Sequence, residues 1–220
     1  MILHITRHGQ TDVRSDHPPG DPHLTDLGRK QAELLGRSLR DMGFDGTIYC
    51  SPYFRTIETA QVIAHVTETM IVPAAEMREY VIRENQMDGF RGATQDELIA
   101  DYSRVKKAPD FLYPWWTSDI ESDEDIEARV APLVDRTSDA DVDVLLVGHG
   151  ASTEGVHRYL LRRYAPDQLN HGQSGWNCFL SSFRIRPEFQ IHRIMDVSHL
   201  PDDAVTSNAR TRAEVLAERG

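Results

Sequence analysis

Four short apolar runs set the terms on which this chain can fold. Residues 2 to 6, 47 to 50, 70 to 72 and 142 to 147 have the length and content of buried strands, and the stretches between them carry helical spacing. Strands that alternate with helices pair in parallel, because a helical crossover brings the chain back to start the next strand in the same direction. The pattern therefore predicts a parallel α/β sheet. In "LTDLGRKQAELLGRSLRDMG", Thr25 is placed to cap a helix, with Leu27, Leu34, Leu35, Leu39 and Met42 near one face and Gly43 as its stop. A second helix is expected from Tyr53 to His65. Thr94 with Glu97, and Ser122 with Asp125, have the spacing of capping boxes, each announcing a further helix. After the strand that ends at Gly148, "STEGVHRYLLRRY" reads as a helix packed back on the sheet. "NCFLSSFRI" and "EFQIHRIM" read as an antiparallel hairpin at the sheet's edge.

With 220 residues the chain is expected to form one domain with a substantial core. The two cysteines, Cys50 and Cys178, show neither metal-ligand nor disulfide-framework spacing, which fits a reducing cytoplasm. No secretion signal and no run of the roughly 18 apolar residues that a membrane span needs is evident, so a cytoplasmic location without membrane contact is expected. A net charge of −11 argues against nucleic acid as a partner, so any anion site must be local. A symmetric homodimer is the default expectation for oligomeric state.

Two strands stop at a histidine beside glycine: "ITRHGQT" at residues 5 to 11 and "LLVGHGAS" at residues 145 to 152. In open α/β sheets ligands gather beyond the carboxyl ends of the strands. If the two strands are neighbours, His8 and His149 lie close together there. Arg7 adjoins His8, and Arg55 falls in the first turn of the helix after the strand ending at Cys50. A neutral imidazole is a nucleophile toward phosphorus, and arginines bind phosphoryl oxygens through paired hydrogen bonds. Strand ends are often polar for no functional reason, but two histidine-glycine ends joined to Arg55 argue for more than capping.

These segments resemble the histidine phosphatase superfamily, which includes cofactor-dependent phosphoglycerate mutases and many small phosphatases. "TRHGQT" resembles the opening R-H-G-x-T motif; "LTDLGRKQAELLG" is similar to the L-T-x-x-G-x-x-Q-A helix; "SPYFRTIETA" is similar to S-x-x-x-R-x-x-x-T-A. "MREY" resembles the stretch that bears the family's acid, and "VLLVGHGAS" the second histidine strand. The resemblance implies a phosphoglycerate mutase-like fold, a three-layer α/β sandwich with a mostly parallel sheet, flanking helices and an antiparallel edge. It implies that His8 is the nucleophile, that Arg7, Arg55 and His149 hold the phosphoryl group, and that Glu79 donates and accepts protons. Gln10 and Thr11 would help line the anion pocket. The scheme needs no cofactor and no metal.

The expected domain covers residues 1 to 199, with a helical and aromatic insertion at about 80 to 120 and a polar tail from 200 to 220 that could end in a short helix or remain mobile. The departures are Arg14 in place of an asparagine, Arg91 in place of a glutamate, and methionine for leucine ahead of the acid. Extra arginines would suit a more anionic substrate or be plain surface residues. Arg83 could approach the mouth or be solvated. The aromatics of "APDFLYPWW", with Tyr80 and Phe90, could wall a substrate pocket or pack the insertion onto the core. The remaining histidines are scattered without ligand spacing and suit surface or satisfied interior places. The expected function is hydrolysis of a small organic phosphomonoester, a small phosphorylated metabolite, through a phosphohistidine. A mutase using the same residues, and a non-catalytic phospho-ligand binding module, stand as alternatives; the compact segment between Glu79 and His149 resembles the phosphatase branch.

Overall fold

The computed structural model describes residues 1–12, 20–169, 175–207 and 210–217. Six strands form one sheet: β1 (Ile2–Arg7), β2 (Thr47–Cys50), β3 (Met70–Pro73), β4 (Val144–Gly148), β5 (Leu180–Arg184) and β6 (Gln190–Asp196), in the spatial order β3-β2-β4-β1-β5-β6. The first four in that order are parallel, and β5 and β6 run antiparallel at the edge. β4 is buried at every position and β1 at all but its first, as expected of parallel strands covered on both faces.

Helices α1 (Asp26–Asp41) and α2 (Phe54–Thr67) cover one face, joined by the short α3 (Gln95–Asp101). Helices α4 (Asp123–Ser138) and α5 (Gly150–Tyr164) cover the other. The result is the three-layer α/β sandwich with an antiparallel edge. Both predicted capping boxes close: Thr94 Oγ1 accepts from the Glu97 amide while Glu97 accepts from the Thr94 amide, and Ser122 and Asp125 do the same. No helix among the described residues is long and apolar enough to cross a membrane.

Register fixes where the strands stop. Arg7 lies opposite Gly148, and Cys50 lies opposite both Val147 and Pro73. All four parallel strands therefore end nearly level, and the residues that follow them emerge at one rim.

Two expectations are corrected. The buried face of α1 is Gly28, Gln31, Ala32, Leu35, Gly36 and Leu39, while Met42 is exposed and Leu27 and Leu34 are only half-buried. Close approach of α2 explains the difference: a Cβ on Gly36 would stand 3.1 Å from Val66 Cβ, so small residues occupy the seam that a hydrophobicity pattern assigns to leucines. The polar tail does not begin at residue 200. Leu200, Ala204, Val205 and Thr206 are buried, and the Asn177 amide donates to the Thr206 carbonyl. A two-stranded ribbon, β7 (Thr206–Ser207) with β8 (Arg210–Thr211), and a terminal helix α6 (Arg212–Ala217) follow.

The segment at about 80 to 120 contributes α3 and otherwise irregular chain. Its Arg104–Lys106 stretch hydrogen-bonds both sides of Ile71, covering the free edge of β3. Trp115 is buried and donates to the Ala93 carbonyl, within a chain of edge-to-face rings that includes Tyr53, Phe90, Trp116 and Tyr113. Trp115, Phe90 and Trp116 thus pack the segment onto the core, whereas Tyr113 is exposed and Tyr80 is half-buried beside Glu79.

Candidate active site

His8 leaves β1 with its amide donating to the Gly148 carbonyl, which locks the first histidine loop to the end of β4. Its Nδ1 lies 2.8 Å from the Gly9 carbonyl. A carbonyl only accepts, so in the neutral ring Nδ1 carries the proton and Nε2 keeps the lone pair. The Gly9 amide donates to Thr59 Oγ1, and the His8 carbonyl accepts from Asn177 Nδ2. Arg7, buried, donates through Nη1 to the Gly175 carbonyl and to Ser207 Oγ.

The second ring stands close by. His149 is fully buried, with its ring centroid 5.4 Å from that of His8. Its Nε2 lies 2.9 Å from Ser51 Oγ, while Nδ1 makes no hydrogen bond within the protein. A Ser51 hydroxyl turned to donate leaves the ring proton on Nδ1. Arg55 follows in the first turn of α2, its Nη1 donating to Asp21 Oδ1 at 3.0 Å and to the Gly20 carbonyl. The Tyr53 ring lies 4.4 Å beneath its guanidinium carbon and 5.0 Å from the His149 ring.

Glu79 comes from the loop after a 3-10 turn (Ala75–Met77) that follows β3. Its Oε2 is 3.6 Å from His149 Nδ1 and 3.8 Å from Arg55 Nη2. Arg129 of α4 holds this loop from behind, donating to the carbonyls of Glu76 and Arg78 and pairing with Glu121, which also pairs with Arg78. Two imidazoles, two guanidiniums and a carboxylate thus converge at the rim where the parallel strands end.

The model of the histidine phosphatase superfamily (branch 1) matches residues 3–196, nearly the whole chain. The chain belongs to this superfamily. Proteins similar to it include an acid phosphatase of Mycobacterium tuberculosis, 29% identical over 165 residues, 70% of this chain and 72% of that one. A probable phosphoglycerate mutase GpmB of Erwinia tasmaniensis is 23% identical, over 93% of this chain and 97% of its own. Among solved structures, the ecdysone phosphate phosphatase from Bombix mori superposes with a TM-score of 0.70 over 98% of this chain and 99% of that one, at 19% identity, a likeness of fold. Relatives in the superfamily are therefore phosphatases or mutases.

The environment of this histidine phosphatase site favours neutral rings. Burial, then the charges of Arg7 and Arg55, hold His8 well below the usual histidine range. Burial, then Arg55 and His8, do the same to His149. Asp21 is pushed up to about 6 by burial, an effect opposed by Arg55 and by hydrogen bonds from the Phe54 and Arg55 amides.

The structure brings His8, His149, Arg7, Arg55 and Glu79 together. Gln10 and Thr11 are placed as supports of the loop: the Gln10 amide donates to Gln31 Oε1, its side-chain oxygen accepts from Thr25 Oγ1, and Thr11 is buried in a backbone bridge to Leu24. Arg91 is exposed and paired with Glu97 at 2.7 Å, and Arg83 is exposed, so neither joins the cluster. Arg14, His17 and His171 lie outside the described residues. His4 and His157 fill interior places, His4 Nδ1 against Ser182 and His157 Nε2 against Ser181, while His157 Nδ1 makes no hydrogen bond among the described residues.

Sequence reasoning missed five partners. Asp21 and Asn177 had no motif to mark them. Ser51 stood inside a motif without an assigned contact. The C-terminal Thr206 and Ser207 were set aside as tail, yet Thr206 bonds Asn177 and Gln31 and Ser207 bonds Arg7.

Proposed function

We propose that this protein is a phosphatase that hydrolyses a small organic phosphomonoester through a phosphohistidine at His8. The observation that carries the reading is the His8 ring itself, with Nδ1 committed to the Gly9 carbonyl and Nε2 left as a lone pair beside His149, in a site flanked by Arg7 and Arg55. In the first step the Nε2 lone pair forms the N–P bond as the ester P–O bond breaks. Protonated Glu79 gives its proton to the departing alkoxide. In the second step Glu79 takes a proton from water, the water oxygen bonds to phosphorus, and the N–P bond breaks to release inorganic phosphate and neutral His8. Arg7, Arg55 and the Nδ1–H of His149 meet the charge on the phosphoryl oxygens, where donors fixed in advance act most strongly.

The likeness to an acid phosphatase supports hydrolysis as the net reaction. The likeness to a probable phosphoglycerate mutase supports a second reading, internal transfer by the same groups. The compact segment between Glu79 and His149 favours water as the acceptor.

Release of nitrophenol from 4-nitrophenyl phosphate in the presence of chelator is the first test, with His8→Ala as control. Chelator-resistant release lost in His8→Ala, and acid-labile label on His8 after quenching with labelled substrate, is expected. Release that chelator abolishes points instead to a metallohydrolase, and no release at all points to a binding module. Phosphoglycerate isomerisation faster than hydrolysis, dependent on a bisphosphoglycerate primer, would replace the phosphatase reading with the mutase one.

A further inference from the structure

Beside Glu79 a cavity of about 360 Å³ opens to solvent. Arg7 and Glu79 bound it on the phosphoryl side, and Tyr80, Asp123, Glu154 and Arg158 line it farther out. If Arg7, Arg55 and the two histidines hold the phosphoryl group, the ester oxygen points toward Glu79 and the alcohol portion of the substrate extends into this space. The cavity therefore meets the part of the substrate that distinguishes one phosphomonoester from another.

Its outer wall is acidic. The Asp123 and Glu154 side chains, both carboxylates, are 71% and 62% exposed. The cation of that wall, Arg158, is already surrounded by carboxylates. Its Nη1 lies 2.7 Å from Asp123 Oδ2 and 3.6 Å from Glu154 Oε1, its Nη2 donates to the Asp123 carbonyl, and its Nε is 3.9 Å from Glu127 Oε2. An anion entering the cavity would have to take Arg158 from these partners and then remain beside them. Arg91, the described arginine that could have signalled a more anionic substrate, is tied to Glu97 on the surface.

We propose that this wall selects phosphomonoesters whose alcohol carries no negative charge, such as polyols or amine-bearing alcohols, and works against alcohols that carry a carboxylate or a second phosphate. The proposal rests on the phosphatase reading above and narrows its substrate class. It also bears on the mutase alternative, since every phosphoglycerate presents a carboxylate beside the transferred group.

The test compares kcat/KM for glycerol 3-phosphate with that for 3-phosphoglycerate, which exchanges a hydroxymethyl group for a carboxylate at similar size. Aminoethyl phosphate against phosphoglycolate makes a second pair, and 4-nitrophenyl phosphate reports whether any hydrolysis occurs. The carboxylated member of each pair is expected to be slower by about tenfold, the scale of one unit charge several ångströms from another at a protein surface. The ratio should shrink as salt is raised. Glu154→Lys is expected to move the ratio toward the carboxylated substrate, with Glu154→Gln between it and the wild type. Because each ratio is taken within one preparation, partial loss of folded protein cancels. Equal or faster turnover of the carboxylated esters, or a ratio that Glu154→Lys leaves unchanged, would overturn this proposal while the phosphatase reading stands. No release from any ester, the aryl phosphate included, would remove both.

Discussion

His149 Nδ1 and Glu79 Oε2 stand 3.6 Å apart, one atom in a fully buried ring and the other on a side chain 25% exposed. In the proposed mechanism Glu79 can therefore exchange protons with solvent while remaining in reach of a phosphoryl group held by His149. This placement predicts that Glu79→Gln lowers kcat for alkyl phosphates by about 10²- to 10⁴-fold, the range for loss of a placed general acid and base. The first step with an aryl phosphate should suffer less, because a phenolate departs without needing the proton. A rapid burst of nitrophenol followed by slow turnover is expected in stopped-flow measurements. Equal losses on alkyl and aryl esters with no burst would assign Glu79 a role other than proton transfer.

Arg129 and Glu121 form a buried pair behind the Glu79 loop, with side chains 9% and 7% exposed. Arg129→Met leaves Glu121 paired with Arg78 alone, so the cost should fall below the roughly 3–5 kcal/mol of a buried charge left unpaired. Arg129→Met also frees the carbonyls of Glu76 and Arg78, which fix the turn ahead of Glu79. Urea unfolding should register the stability loss. Activity corrected for folded fraction should show kcat falling more than KM rises, because Arg7 and Arg55, the proposed phosphoryl donors, are anchored elsewhere. A stability loss with unchanged kcat per folded molecule would limit the pair to a structural role.

Gly28 is where α1 meets the first histidine loop: a Cβ there would stand 2.2 Å from the Gln10 carbonyl oxygen and 2.9 Å from its nitrogen. Both neighbours are backbone, so neither can swing aside. Gly28→Ala is expected to cost about 1–3 kcal/mol, as overpacking does. Displacement of the loop that carries His8 should also weaken inhibition by inorganic phosphate. Thermal melts and phosphate inhibition constants check the two effects, and an unaltered inhibition constant would uncouple α1 from the site.

The strand-helix alternation, both capping boxes and the edge hairpin were legible in the sequence because each rests on local spacing. The meeting of His8 with His149 needed one non-local fact, that β1 and β4 are neighbours, and the resemblance carried that fact where periodicity could not. What stayed hidden depends on contacts between distant segments. Gln31 reads as a polar residue on a helix, yet it binds the Gln10 amide on one side and Ala204 and Thr206 on the other. Thr59 likewise gains its meaning only when Gly9 arrives beside it. The C-terminal segment looked solvated because its few apolar residues, Leu200, Ala204 and Val205, follow no periodic pattern, yet all three are buried.

The interior histidines outside the site make stability depend on pH in a direction that can be worked out. Burial lowers both His4 and His157 from 6.5 to about 4. The unfolded chain therefore binds more protons than the folded one in this window. Their contribution is complete above pH 6.5 and is lost as pH falls toward 4, roughly 3 kcal/mol for each ring at 1.36 kcal/mol per pH unit. His8 and His149 shift in the same direction and add to the loss. Asp21 acts oppositely: raised from 3.8 to about 6, it favours the folded state at low pH, and that contribution disappears as pH rises through 6. One carboxyl does not offset four rings, so the unfolding free energy should fall steadily on acidification from pH 6.5 to 4. His157→Gln, which can still hydrogen-bond Ser181, should reduce the slope by up to one proton, and His4→Gln by as much again. Denaturant unfolding at half-unit pH steps measures this. A free energy flat across the window, or a slope that the double variant leaves intact, would mean that the rings are protonated in place and that Ser181 and Ser182 accept from them.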